Sequence, residues 1–399
     1  MVNFKQQGFL VLFVSFLPLL VLLFRGLVWG ADSFAFMAVA CGQQQYAVSL
    51  SSPGWFTSLL PFFNCNFLLI VFVMWFFYFL ALIGLWLFAK NIFLGEWFER
   101  WNDSAWLLPC LVGTVTPLFF VEALRFENDF FGWTIAFLVL GLFTLVFKGT
   151  KNSFKAIVLI LCTPLAFICT SVWLPSIIIL SVCLFVLPVT HKIQQVLWIL
   201  LIGTYSILNY NFLLSSFTNL NQIVAEEMPL LGLIFIIHII SFYKYVPRKY
   251  LIPTIALIGL GLIKMKYMFI ATPFLILGLI QKEKNGGIEI KGSRIPIIFI
   301  ILILGFGWVI TSVNLFPTQS DLKEIKELIE LSEDQNIPMY NDFGNGWLIT
   351  FMGKETDYKI GYPEPDYNNL PRPFYAYSSK KLEKHDCVKL NKKTYFCES

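Results

Sequence analysis

The sequence predicts an α-helical polytopic membrane protein that ends in a small α+β domain, and three observations predict it. Of 399 residues, 57% are hydrophobic and 14% charged, and the mean hydropathy is +0.71. That composition lies outside the range of soluble globular chains. Apolar stretches of membrane-spanning length then follow one another to about residue 317, where a polar segment, 318–399, takes over. Finally, the basic residues between the apolar stretches fall into one alternate set of loops, as they do when a chain crosses a membrane repeatedly.

Taken in order, the apolar stretches predict about eleven helices, over residues 8–28, 66–89, 105–121, 132–147, 156–172, 174–190, 194–212, 229–243, 250–263, 267–281 and 295–315. A full crossing takes about 20 residues, and several of these are shorter. The pairs 156–190 and 250–281 also read as single broken helices or re-entrant pairs. The first stretch follows a short start containing Lys5 and precedes no small-residue cleavage pattern, so it reads as a retained helix rather than a signal peptide.

Charge gives the sidedness. One set of loops carries Lys90 and Arg100, then Lys148, Lys151 and Lys155, then Lys192, then Lys244, Arg248 and Lys249, then Lys282, Lys284, Lys291 and Arg294. The opposite set has Arg125, Lys264 and Lys266 and little else that is basic. The positive-inside rule therefore puts the N-terminus in the cytoplasm and residues 318–399 outside it, in the cell membrane's outer space. Arg25 opposes the trend and can snorkel to the interface. The surplus of basic residues lies in these loops, since residues 318–399 hold 11 Lys and Arg against 14 Asp and Glu. A nucleic-acid surface is excluded on that ground.

Cysteine usage agrees with this division. Cys41, Cys65, Cys110, Cys162, Cys169 and Cys183 are scattered in or near apolar stretches, as small hydrophobes often are. Cys387 and Cys397 flank CVKLNKKTYFC, which reads as a hairpin. An outside location would let them form a disulfide.

The first outer loop, 29–65, is long and begins WGADSFAFMAVACG. Between residues 31 and 89 there is no Lys or Arg, and Asp32 is the only acid. A lone carboxylate at the mouth of a hydrophobic helix is costly and marks a working face. Asp32 and Ser33 also suit the start of a short helix toward Gly42, so N-capping is the second role open to Asp32. SSPGW then breaks the chain, and an aromatic segment follows that suits the membrane interface. A second acidic segment, VEALRFENDFFGW, joins the third and fourth spans. Within it Glu122 and Arg125 are spaced to pair on a helix, while Glu127 and Asp129 stand two apart in a turn. With Asp32, these two acids are candidate oxygen ligands for Mg²⁺ or Mn²⁺; holding an acceptor and ordinary turn solvation are the alternatives. Glu226 and Glu227 follow SSFTNLNQIVAEEM, either a substrate-gripping loop or a connector.

On WGADSFAFMAVACG, RFENDFFG and GLIKMKYMFIATP the chain resembles the GT-C superfamily of membrane glycosyltransferases, which includes the oligosaccharyltransferases and protein mannosyltransferases. The resemblance implies transfer of a sugar from a polyprenyl-phosphate donor to a protein, lipid or glycan acceptor at the outer face. It places Asp32 as base or acceptor-orienting carboxylate, Glu127 and Asp129 in the acidic pair, and Lys264 or Lys266 at the lipid phosphate. The WWD-type signature of oligosaccharyltransferases is missing from the tail, which argues against transfer of a whole glycan to Asn. A secondary transporter or flippase for a lipid-linked or small polar substrate is the other reading, although such proteins carry midplane charges and inverted repeats that the sequence does not display.

Two domains follow from this, a membrane domain over 1–317 and an extracytoplasmic α+β domain over 318–399. In the second, Leu322, Ile325, Leu328 and Ile329 recur at helical spacing. IPMYNDFGNGWLITFMG then reads as strand, turn and strand, with Asp342 and Trp347 best taken as a turn and a core residue.

Overall fold

The computed structural model describes residues 4–25, 31–42, 52–92, 105–115, 117–148, 152–181, 192–208, 248–263, 270–274, 276–277, 319–341, 369–378, 381–382 and 386–398. The chain divides into two compact units. The first comprises residues 1–20, 73–123 and 128–311, and the second residues 21–72, 124–127 and 312–399.

The long apolar runs wholly or mostly in the first unit are helical: α1 (Phe4–Arg25), whose last turn belongs to the second unit, α4 (Phe67–Ile92), α7 (Asn128–Lys148) and α8 (Asn152–Val172). The second unit contributes the start of α4, where the Asn66 side chain accepts the Leu69 N–H at 3.1 Å and so satisfies one orphan donor of the first turn. Helix α7 begins with Asp129 in its first turn, a sign that suits the positive end of its dipole.

Helix α7 is the centre of the first unit. In its apolar window 83% of residues are buried, against 33–44% in α1, α4 and α8. Its small residues let neighbours close on it. Gly141 meets the backbone of Gly84 on α4, and Gly132 meets the side chain of Trp173 just after α8. Such small-residue contacts let helix backbones approach in the way membrane helices favour. The outer helices join through sparse polar contacts. Trp75 Nε1 donates to Ser15 Oγ at 3.0 Å and stacks on Phe16 at 5.1 Å, and Asn91 Nδ2 donates to Thr144 Oγ1 at 2.9 Å. The opposite faces expose Phe9, Phe13, Leu20, Phe76, Ile157 and Ile160, an arrangement that suits lipid and not water.

The span count needs correction. Among the described residues four helices, not eleven, are long and apolar enough to cross a membrane: Gln6–Phe24, Phe67–Asn91, Asn128–Val146 and Ser153–Val172. The stretch 105–121 is two short helices, α5 (Leu107–Val115) and α6 (Pro117–Glu122). After Trp173-Leu174-Pro175 the chain resumes as α9 (Ser176–Ser181). The next described helices are α10 (Lys192–Leu208, 17 residues) and α11 (Arg248–Ile263, 16 residues), each bordered by residues outside the described set. The stretches 229–243 and 295–315 and most of 267–281 lie outside the described residues.

The second unit contains α2 (Ala31–Ala40), a one-turn α3 (Gly54–Thr57), a 3-10 turn over Leu60–Phe63, and an α+β module near the C-terminus. The module opens with α12 (Gln319–Gln335), which buries Ile325, Leu328 and Ile329 along one face and carries Lys323–Glu327 and Lys326–Glu330 ion pairs on its exposed side. Its sheet has strands β1 (Met339–Asn341), β2 (Phe374–Tyr377), β3 (Cys387–Lys389) and β4 (Thr394–Cys397), in the order β1-β2-β4-β3. β1 runs parallel to β2, and the other two pairings are antiparallel. β2 lies inside the sheet and is buried along its whole length. Tyr340, Phe374, Leu382 and Tyr395 form the core with Cys387 and Cys397, and Tyr375 Oη donates to Gln335 Oε1 at 2.8 Å to tie helix to sheet.

Cys387 and Cys397 face each other across β3 and β4 and are disulfide-bonded. So small a core gains much from one staple. Replacing both with serine is expected to lower module stability by about 2–4 kcal/mol, read as protease sensitivity of residues 319–398 against an intact membrane part. Unchanged sensitivity would show that helix packing alone holds the module.

Candidate functional site

Two charged residues of the second acidic segment, Arg125 and Glu127, meet at the start of α2. Its first turn carries Asp32 and Ser33. The Asp32 side chain lies outside the described residues, whereas Ser33 is buried and its hydroxyl donates to Glu127 Oε1 at 2.9 Å. Arg125 Nη1 stands 3.7 Å from the same oxygen, and both charged side chains are at most 3% exposed. The turn after α6 thus ends in a buried ion pair that reaches back across 94 residues to the first turn of α2.

Aromatic rings shield this network. Phe126, between the two charged residues in sequence, meets Phe36 of α2 at 6.2 Å and Phe63 at 5.6 Å. Phe36 also meets Phe56 of α3 at 6.0 Å. A disulfide joins Cys41, just past α2, to Cys65, just before α4. The Cys65 N–H adds a bond to the Ala40 carbonyl at 3.0 Å. These ties hold a corner at which Asn64 and Cys65 both take left-handed backbone, φ 46° and 55°, a region that non-glycine residues enter rarely.

Glu127 Oε1 is shared by a hydroxyl and a guanidinium, so the carboxylate works first as a latch. Desolvating two charges is expensive, and an ion pair survives burial only with good hydrogen bonds around it; Ser33 supplies one. Asp129 stands apart from this role in the first turn of α7, and its neighbour Asn128 donates through Nδ2 to the Val172 carbonyl at 3.1 Å. Lys264, Lys266, Glu226 and Glu227 lie outside the described residues.

Two expectations are corrected here. No group of three or more His, Cys, Asp or Glu side chains able to hold a metal ion occurs among the described residues, which do not include the Asp32 side chain, so the sugar-transfer mechanism finds no catalytic acidic site among them. That mechanism also required a large polytopic domain of eleven spans, and the described residues contain four. The transfer reading is therefore not carried forward, and neither is the transport reading that shared its architecture. Cys41 and Cys65, taken in sequence for small hydrophobes, are bonded to each other. Their signal was available: both lie in the outer loop that the charge map puts on the oxidising side.

Fold and site together define a membrane protein with several long apolar helices and a disulfide-tied unit that encloses a buried Ser-Arg-Glu network. No family model matches the chain, and no curated protein matches it. The glycosyltransferase assignment drawn from short motifs thus gains no relative to stand on.

Proposed function

We propose that the chain is a multi-pass membrane protein, N-terminus in the cytoplasm and residues 318–399 outside, that binds a polar ligand at its outer face beside Asp32. The observation that carries the ligand reading is the Ser33–Glu127–Arg125 network. It fixes the first turn of α2, and that turn carries the one acid in a run of residues, 31–89, with no basic residue. A carboxylate held at such a place favours a cationic or hydroxyl-bearing ligand, and fixing its backbone beforehand lowers the cost of binding. Sidedness is supported independently. Both disulfides fall in segments that the charge map puts outside, while the free thiols of Cys110, Cys162 and Cys169 are buried in apolar helices.

Two measurements test the reading. On intact cells, a membrane-impermeant reductant followed by an impermeant maleimide should label Cys387 and Cys397; labelling only after lysis would reverse the topology. In nanodiscs, one or more members of a panel of small amines and polyols should raise the melting temperature of wild type and not that of Asp32→Asn. Equal shifts in both proteins, or no shift in either, would remove the ligand assignment.

A further inference from the structure

The outer loop exposes an apolar stripe with a preferred orientation. Trp55, Leu59 and Phe62 are 44%, 47% and 78% exposed, while Phe56 and Leu60 between them are 8% and 1%. The exposed three recur at i, i+4 and i+7 through α3 and the 3-10 turn, and so share a face. Water is a poor neighbour for three large apolar side chains in one stretch. The segment is also clamped from behind, by the Phe36–Phe56 contact and by the Cys41–Cys65 bond. Its inner side is thus occupied, and its outer side is fixed in direction.

The covering surface follows from continuity. Two residues after the corner at Asn64 and Cys65, α4 begins, and its first turns expose Leu68, Leu69 and Phe72 at 66%, 40% and 56%. That helix is long and apolar enough to span, so its exposed face meets lipid. From residue 33 to residue 89 the sequence has no charged side chain, so no charge between the stripe and α4 needs to be kept in water. We propose that Trp55, Leu59 and Phe62 form a membrane-docking foot. It seats in the headgroup–acyl boundary of the leaflet where α4 enters, and the disulfide joins this foot to α2 and its network. Tryptophan and phenylalanine both suit that boundary by their interfacial preferences. The inference needs the chain to be a membrane protein and is independent of the ligand reading.

The test places a small environment-sensitive fluorescent amino acid at position 59 or 62 of the full chain in phosphatidylcholine nanodiscs, with position 391, exposed in the C-terminal module, as the water control. Lipid brominated near the top of its acyl chains should extinguish most emission at 59 and 62 and spare 391, while iodide should do the opposite. A second readout avoids the label: the brominated lipid should quench tryptophan emission less in Trp55→Phe than in wild type. Iodide quenching at 62 would overturn the proposal by showing an open aqueous face. Shielding of 62 from both quenchers would overturn it equally, because a second copy or a soluble partner would then cover the stripe.

Discussion

Gly84→Ala is expected to prevent the native packing of α4 on α7. A Cβ at Gly84 would overlap the Phe137 carbonyl oxygen and stand 2.6 Å from Leu138 Cα. A Cβ at Gly141 would overlap the Gly84 carbonyl and stand 2.6 Å from Gly84 Cα. In both cases the obstacle is backbone, which cannot rotate aside as a side-chain tip can, so the helices must separate. Overpacking of ordinary cores costs about 1–3 kcal/mol, and a backbone-to-backbone clash at the central helix of the unit belongs at or above the top of that range. Because both substitutions open the same crossing, Gly84→Ala/Gly141→Ala should destabilise by clearly less than the sum of the singles. Gly8 and Gly54 have nothing within 4 Å of the position a Cβ would take, and alanine at either should change stability by no more than about 1 kcal/mol. Thermal unfolding in nanodiscs, followed by loss of monodisperse protein, separates the two pairs. A melting temperature for Gly84→Ala matching that of Gly8→Ala would mean that α4 and α7 do not cross there.

Elements governed by local chemistry could be read from the sequence, and those governed by distant pairing could not. Helix α4 was legible because its 26 residues contain no proline and no charge before Lys90, and α12 because its apolar residues keep helical spacing. Among the described residues, one part of the excess of expected spans has a physical cause: hydropathy registers apolar content but not continuity. Residues 105–121 are largely apolar, yet the helices described there are Leu107–Val115 and Pro117–Glu122, each shorter than a crossing needs. The hairpin of Cys387 and Cys397 was visible in its own eleven residues, whereas the parallel pairing of Met339–Asn341 with Phe374–Tyr377 joins strands more than 30 residues apart and has no local signal. At the site, Asp32, Glu127 and Asp129 stood out as acids in apolar surroundings. The partner of Glu127 did not, because Ser33 lies 94 residues away and a serine beside an aspartate at a helix start reads first as a cap. Arg125 was expected to look back toward Glu122, one helical step away. The chain leaves helix after Glu122, and the turn that follows brings Arg125 to Glu127 as well.

Glu127→Ala should be among the most damaging single changes outside the helix crossing. It takes counter-charge from a guanidinium that is 2% exposed and removes the acceptor of the Ser33 hydroxyl. Breaking a buried pair from one side typically costs about 3–5 kcal/mol, because the surviving charge stays desolvated. Ser33→Ala removes only the hydrogen bond to a charged acceptor and should cost about 1.5–3 kcal/mol. Glu127→Gln keeps an oxygen for Ser33 but not the charge, so it should fall between wild type and Glu127→Ala. Arg125→Met combined with Glu127→Leu should recover much of the loss, since apolar replacements of a buried pair are often near neutral. That recovery distinguishes a latch from a ligand-binding pair: the apolar double variant restores folding, while a ligand that touched either charge would no longer bind it. Asp32→Asn gives the complementary case, with stability close to wild type and ligand-induced stabilisation lost. If Glu127→Ala melted within about 0.5 kcal/mol of wild type, as an ordinary surface substitution does, the network would not be holding α2, and fixing of the Asp32 turn would need another source.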